Sequence, residues 1–78
     1  MPTVLRRGPY RIYFVSHDIS EPAHVHIDRD DMSAKFWLAP VTLASNLGYG
    51  PRELRIIEVL ISEHRDNLLE AWNDFFNP

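Results

Sequence analysis

The chain has 78 residues, no cysteine and a formal net charge of −3, from 8 basic against 11 acidic side chains. That length suits one small domain held by packing alone. Disulfides, thiolate zinc sites and cysteine nucleophiles are excluded, and the charge is not that of a chain built as a whole to attract polyanions. The opening "MPTVLRRGPYRIYFV" lacks the charged start and apolar run of a signal peptide. No stretch reaches the length of a membrane span, so a cytoplasmic protein with no membrane partner is expected. Charge is unevenly spread: Arg6, Arg7, Arg11, Arg29 and Lys35 come early, whereas Glu53, Glu58, Glu63, Asp66, Glu70 and Asp74 dominate the second half.

Residues 3–16, "TVLRRGPYRIYFVS", alternate around a Gly-Pro pair and are rich in β-branched and aromatic types. They predict a hairpin of strands over about 3–7 and 10–16. Centring it on Gly8 and Pro9 sets Leu5 against Ile12 and Arg6 against Arg11. Proline is disfavoured at the second central position of a common tight turn, which predicts a loop of four or more residues with the same pairs.

After the polar connection "HDISEP", "AHVHID" alternates again, then a turn at "RDDM" leads into "SAKFWL". These predict strands over about 23–28 and 33–38. A turn centred between Asp30 and Asp31 sets Val25 against Phe36, Ala23 against Leu38, His24 against Trp37 and His26 against Lys35. "APVTLASNLGYG" is ambiguous: Val41 to Ser45 reads equally as a short strand or a helical turn, bounded by Pro40, Gly48 and Gly50.

From Pro51 the period becomes helical, over about 51–76. Pro51 sits at a permitted first-turn position, and Glu53 lies near the favourable end of the helix dipole. Leu54, Ile57, Ile61, His64, Leu68, Ala71 and Phe75 recur at spacings of three and four, widened by Leu60, Trp72 and Phe76. The polar run "SEHRDN" leaves one long helix, or two consecutive ones broken near residues 62–67, both open. The expected architecture is a single α+β domain over 1–78. An antiparallel sheet of three to five strands, built from two hairpins, carries a long C-terminal helix across one face.

Strict alternation then sorts the sheet residues. Leu5, Ile12, Phe14, Val25, Ile27, Phe36 and Leu38 face the helix; Arg6, Arg11, Tyr13, His24, His26, Asp28, Lys35 and Trp37 face away. Arg6 opposite Arg11 is a like-charge pair that costs stability.

That second face admits three functional readings beside the plain one, a solvated surface carrying strand-forming polar residues. Cations neutralise phosphates, and Tyr13 and Trp37 offer surfaces on which unpaired bases stack. If RNA is also cut there, a neutral histidine takes the 2′-hydroxyl proton while arginine or lysine stabilises the phosphate, with no metal needed. Lys35 beside His26 favours the neutral imidazole, and Asp28 opposes it. In the metal reading, His24 and His26 share an ion with His17, Glu21 or Asp28 as further ligand, although Lys35 is a poor neighbour for a cation. In the interface reading, Tyr13, Trp37 and the arginines anchor a protein partner.

A histidine-triad hydrolase is disfavoured because Asp28 stands where a third alternating histidine is needed. His64 reads as a packed histidine with one hydrogen bond. Trp72, Phe75 and Phe76 read as core, "GYGPRE" as the helix approach and "RELRIIE" as a solvated edge.

Taken together, "MPTVLRRGPYRIYFVSHD", "EPAHVHI", "AKFWLAPV" and "LLEAWNDFF" make the chain similar to a family of small bacterial proteins of unknown function. Members typically begin with PTVLR, carry EPPHVHV and AKFWL, and end in a helix containing LLEAW. Here Ala23 replaces the second proline, which alters the connection more than the histidines. Members are often encoded beside another small protein, as in type II toxin–antitoxin pairs. The resemblance therefore implies a toxin-like role restrained by a small cognate antitoxin-like partner, and it points to Glu21, His24, His26, Lys35 and Trp37.

The leading expectation is a metal-independent ribonuclease or RNA binder. His24, His26, Arg11 and Lys35 would act in catalysis, Arg6, Tyr13, Trp37 and Glu21 in binding, with no cofactor. The alternative is a non-catalytic interaction module or the antitoxin-side partner. RNA, the cognate protein and a homo-oligomeric copy of the chain are the partners to consider.

Overall fold

The computed structural model describes residues 3–15 and 20–76. Five strands follow one another in chain order: β1 (Thr3–Arg7), β2 (Tyr10–Tyr13), β3 (His24–Arg29), β4 (Met32–Leu38) and β5 (Val41–Leu47). Two helices follow, α1 (Pro51–Glu63) and α2 (Arg65–Phe76). Each strand pairs antiparallel with the next, giving a meander in the order β1-β2-β3-β4-β5. The α+β architecture is as expected, with the ambiguous segment resolved as the fifth strand.

The predicted registers are those observed. Leu5 lies against Ile12, Arg6 against Arg11, Val25 against Phe36, His24 against Trp37 and His26 against Lys35. The Leu38 amide extends the β3–β4 ladder by donating to the Ala23 carbonyl at 3.0 Å.

The first turn differs from expectation. Arg7 pairs with Tyr10, so Gly8 and Pro9 alone form the connection, with Gly8 at φ 55°. The expected loop of four or more residues assumed an ordinary turn. A positive φ at the first central position, open to glycine, belongs to the primed hairpin turns, whose II′ form leaves a negative φ that proline accepts at the second. Asp30 adopts φ 55° in the equally short Asp30–Asp31 turn. The strand expected to run to residue 16 ends at Tyr13; Phe14 and Val15 continue outside the ladder.

The helix is two helices. At His64 the backbone leaves helical geometry (φ −112°, ψ 12°), and its amide turns back to the Ile61 carbonyl at 3.1 Å. The His64 ring Nδ1 bonds the Leu60 carbonyl at 2.9 Å, the single hydrogen bond expected of it. Arg65 Nε donates to the Leu38 carbonyl at 3.0 Å, tying the start of α2 to the end of β4. The polar run gives no apolar reason to continue straight, and the break lets each helix lay its own stripe on the sheet.

Ile12, Val25, Ile27, Phe36 and Leu38 from the sheet, with Phe14 just beyond β2, meet Ile57, Ile61, Leu68 and Trp72 from the helices, all buried. Burial of each large aliphatic or aromatic side chain contributes about 1.5–3 kcal/mol. Leu5 packs against this core from the edge. Phe75, expected as core, reaches only the rim and is 37 % exposed. Gly48, at φ 104°, lets β5 leave the sheet close to Met32: a Cβ there would stand 2.7 Å from Met32 Cγ.

A polar clamp closes the end of the core beside α1. Glu53 accepts from Arg29 Nε at 2.6 Å and Nη2 at 2.7 Å, and from the Tyr10 hydroxyl at 2.7 Å. "RELRIIE" is therefore more than a solvated edge, because Glu53 joins the first turn of α1 to β2 and β3. Bidentate pairing of this kind is the strong form of the arginine–carboxylate contact. The Tyr49 hydroxyl donates to the Ile27 carbonyl at 3.1 Å, and burial, with the charges of Asp28 and Glu53, pushes that phenol up to about 12.

The Arg29 guanidinium, followed by the Tyr10 hydroxyl, holds the Glu53 carboxyl below its ordinary 4.5. A lowered folded-state value means that the unfolded chain binds the proton more readily. The clamp's stability is complete above about 4.5 and is lost as pH falls through the folded value. Glu53→Gln should lower the thermal midpoint at neutral pH and flatten its decline on acidification, as followed by circular dichroism.

Candidate functional site

Alternation places Arg6, Arg11, Tyr13, His24, His26, Asp28, Lys35 and Trp37 on the sheet face away from the helices, as the register requires. β2 adds a connection that hairpin pairing alone did not give: Tyr13 lies against His26 and Arg11 against Asp28. Four adjacent strands thus deliver the eight residues to one surface.

That surface is closely tied together. The Tyr13 ring stacks on His26 (centroids 5.3 Å, interplanar angle 21°), and the Arg11 guanidinium lies over it at 4.5 Å. The Tyr13 hydroxyl donates to both Asp28 oxygens at 3.1 Å, and the Ser33 hydroxyl donates to Asp28 Oδ1 at 2.7 Å. Burial, reinforced by Asp28, pushes the Tyr13 phenol up. Arg11 Nε donates to the Thr3 hydroxyl at 2.7 Å, a neutral contact that holds it beside Arg6 despite the like charge. Lys35 forms an ion pair with Glu21 and sits 4.7 Å from the centre of the Trp37 ring.

The two histidines are not equivalent. His24 is completely buried, although it lies on the face expected to be open. The β2–β3 ladder stops at Tyr13 and His26, and Trp72 of α2 packs against both Phe14, just beyond β2, and His24 (centroids 5.3 and 5.0 Å). Trp37 and His26 meet the His24 ring edge-on at 5.5 and 5.2 Å. Its Nδ1 donates to the Pro22 carbonyl at 2.9 Å, with Glu21 Oε1 3.8 Å away. The sequence reading placed both imidazoles in solvent because alternation specifies a face and not what covers it. His26 is only partly buried and is the more accessible of the two.

Tyr13 is 8 % exposed, so most of its ring is spent on Arg11 and His26 rather than offered to a base. Trp37 is half-buried and walls a recess of about 270 Å³ with Pro22, Ala23, Ala39, Pro40 and Thr42. Of the metal ligands considered, His17 lies outside the described residues. Among the described residues, no three histidine, aspartate or glutamate side chains are grouped to hold a metal ion. Asp28 is engaged by Tyr13 and Ser33 instead.

Sequence reasoning missed Ser33, Thr3 and Trp72. Ser33 was legible, since the turn centre that sets His26 against Lys35 also sets Asp28 against Ser33. Trp72 had no local signal, because its contact with His24 crosses from one layer to the other.

A family model described as "Domain of unknown function (DUF4160)" matches residues 10–73, which include β2 through most of α2. No curated protein and no solved structure matches the chain. None of the helices among the described residues is long and apolar enough to cross a membrane.

Removing the cover over His24 should separate packing from chemistry. Trp72→Ala is expected to cost about 3–5 kcal/mol in urea unfolding, and to open the His24 ring to solvent in imidazole NMR. Trp72→Phe should recover most of the stability.

Proposed function

The chain belongs to this family of unknown function, and on that premise we propose that it is the toxin-like member of a bacterial toxin–antitoxin pair, binding and cleaving RNA without a metal. The observation that carries the proposal is the setting of His26, the more accessible of the two imidazoles, between Tyr13 on one neighbouring strand and Lys35 on the other, with Arg11 and Arg6 beyond. The resemblance to small bacterial proteins encoded in pairs supports the biological role.

In this mechanism His26 accepts the 2′-hydroxyl proton. The 2′-oxygen attacks the adjacent phosphorus and the bond to the 5′-oxygen breaks, with solvent returning a proton to the leaving oxygen. Arg11 and Lys35 stabilise charge on the phosphate, and Arg6 contacts the neighbouring backbone. Glu21 holds Lys35 in place. His24, buried against His26, acts as a positioning residue, and Trp37 supplies the wall of the recess against which a base stacks.

A second reading follows from the internal pairing of the face. Lys35 is already matched by Glu21, and Asp28 by Tyr13 and Ser33, which suits a non-catalytic protein-interaction module or an antitoxin-side partner. Expression alone and with the adjacent gene separates the two. The ribonuclease reading expects growth arrest and loss of RNA integrity that the neighbour suppresses. His26→Ala should abolish both at unchanged thermal midpoint, and a fully toxic variant would remove His26 from the mechanism. Arg6→Ala should lower the salt dependence of single-stranded RNA binding by about 0.7 in log–log slope. Co-purification with the neighbour, with no effect on growth or RNA, selects the interaction module.

A further inference from the structure

The sheet has two edges, and they are built differently. β1, "TVLRR", carries Arg6 and Arg7 and a register shift between Thr3 and Leu5. Charge and irregularity of this kind keep an edge from pairing with another chain. β5, "VTLASNL", is two residues longer and has no charged residue and no internal proline. Its one irregularity, at Ala44, arises where Lys35 pairs with Ser45 and Phe36 with Leu43. Among the described residues, no strand pairs with its outer edge.

The apolar surface is concentrated at the same end. Of the five large hydrophobic side chains exposed among the described residues, Leu43 (44 %) and Leu47 (70 %) belong to β5. Ile56 and Val59 (each 52 %) belong to α1, the helix packed over β5 and β4.

We propose that β5 is a dimerisation edge: β5 of a second copy of this chain adds to it antiparallel, about a two-fold axis perpendicular to the sheet, to give one ten-stranded sheet. Self-complementarity selects a second copy as the occupant. A strand without charges meets its own reverse with no like-charge pair opposed. The same operation brings α1 alongside its reversed copy. Arg52 and Arg55 lie toward the N-terminal end of α1, and Glu58 and Glu63 toward its C-terminal end, so reversal sets opposite charges against each other. Glu53 is withheld from this pattern by Arg29 and Tyr10. Main-chain hydrogen bonds supply the strand-addition contact, and Leu43, Leu47, Ile56 and Val59 supply apolar area at its margins.

The proposal is independent of the chemistry assigned to His26. Sedimentation equilibrium of the full chain should show a concentration-dependent species of twice the chain mass. Leu47→Lys and Leu43→Lys should each weaken dimerisation about tenfold or more. Thermal unfolding identifies any variant that fails to fold, and Leu47, the most exposed of the four, is the safer of the two sites.

Because the chain has no cysteine, single Ser45→Cys and Ala44→Cys variants report contact directly. Under mild oxidation at least one should form a covalent dimer, whereas Arg7→Cys on β1 should not. A monomer at all concentrations with no cross-link overturns the proposal. So does a dimer unaffected by both lysine substitutions, or an edge that pairs only with the neighbouring gene's product.

Discussion

The register of β3 against β4, set by the two-residue Asp30–Asp31 turn, is the constraint from which both layers of the protein follow. It sends Val25, Ile27, Phe36 and Leu38 toward the helices and His24, His26, Lys35 and Trp37 away from them. A slip of one residue would exchange the two sets and leave two imidazoles and a lysine in the core. The Arg29–Glu53 pair acts on the same turn from the helix side, since Arg29 immediately precedes it and Glu53 lies on α1. Turn, core and helix are thereby tied to one alignment.

The face opposite the helices is neither a bare solvated surface nor an open platform. Aromatic and polar contacts run across it from Thr3 and Arg11 through Tyr13 to His26, and on to His24 and Trp37. Such a chain of contacts holds its side chains in one orientation, and of the two imidazoles His26 is the one left partly exposed. The burial of His24 fits the same logic: a ring locked by Trp72, Trp37 and the Pro22 carbonyl makes a rigid back wall for its neighbour.

The two ends of the sheet divide other tasks. The β1 and β2 side carries Arg6, Arg7 and Arg11, charges of the kind that disfavours pairing at a sheet edge. The β5 strand itself lacks charge, and with α1 it collects exposed leucine, isoleucine and valine. With this division, a partner strand on β5 would leave the histidine face uncovered, because strand addition uses the edge of the sheet and not its surface.

Strand parity, the pairs across both hairpins and the apolar stripe of the helices were all legible in the sequence, because period and turn position are local properties of the chain. The break at His64 was legible as a polar run but not as a decision, since it needed the Leu38 carbonyl that Arg65 finds. The Gly8–Pro9 turn was misjudged because the backbone angle that glycine adopts is chosen by the twist of the strands it joins. The role of Glu53, the cover over His24 and the place of β5 at an unpaired edge were settled only by tertiary structure. Each depends on groups far apart in the chain, Tyr10 with Glu53, His24 with Trp72 and β5 with the absence of a sixth strand beside it among the described residues. Periodicity carries no information about distances of that kind.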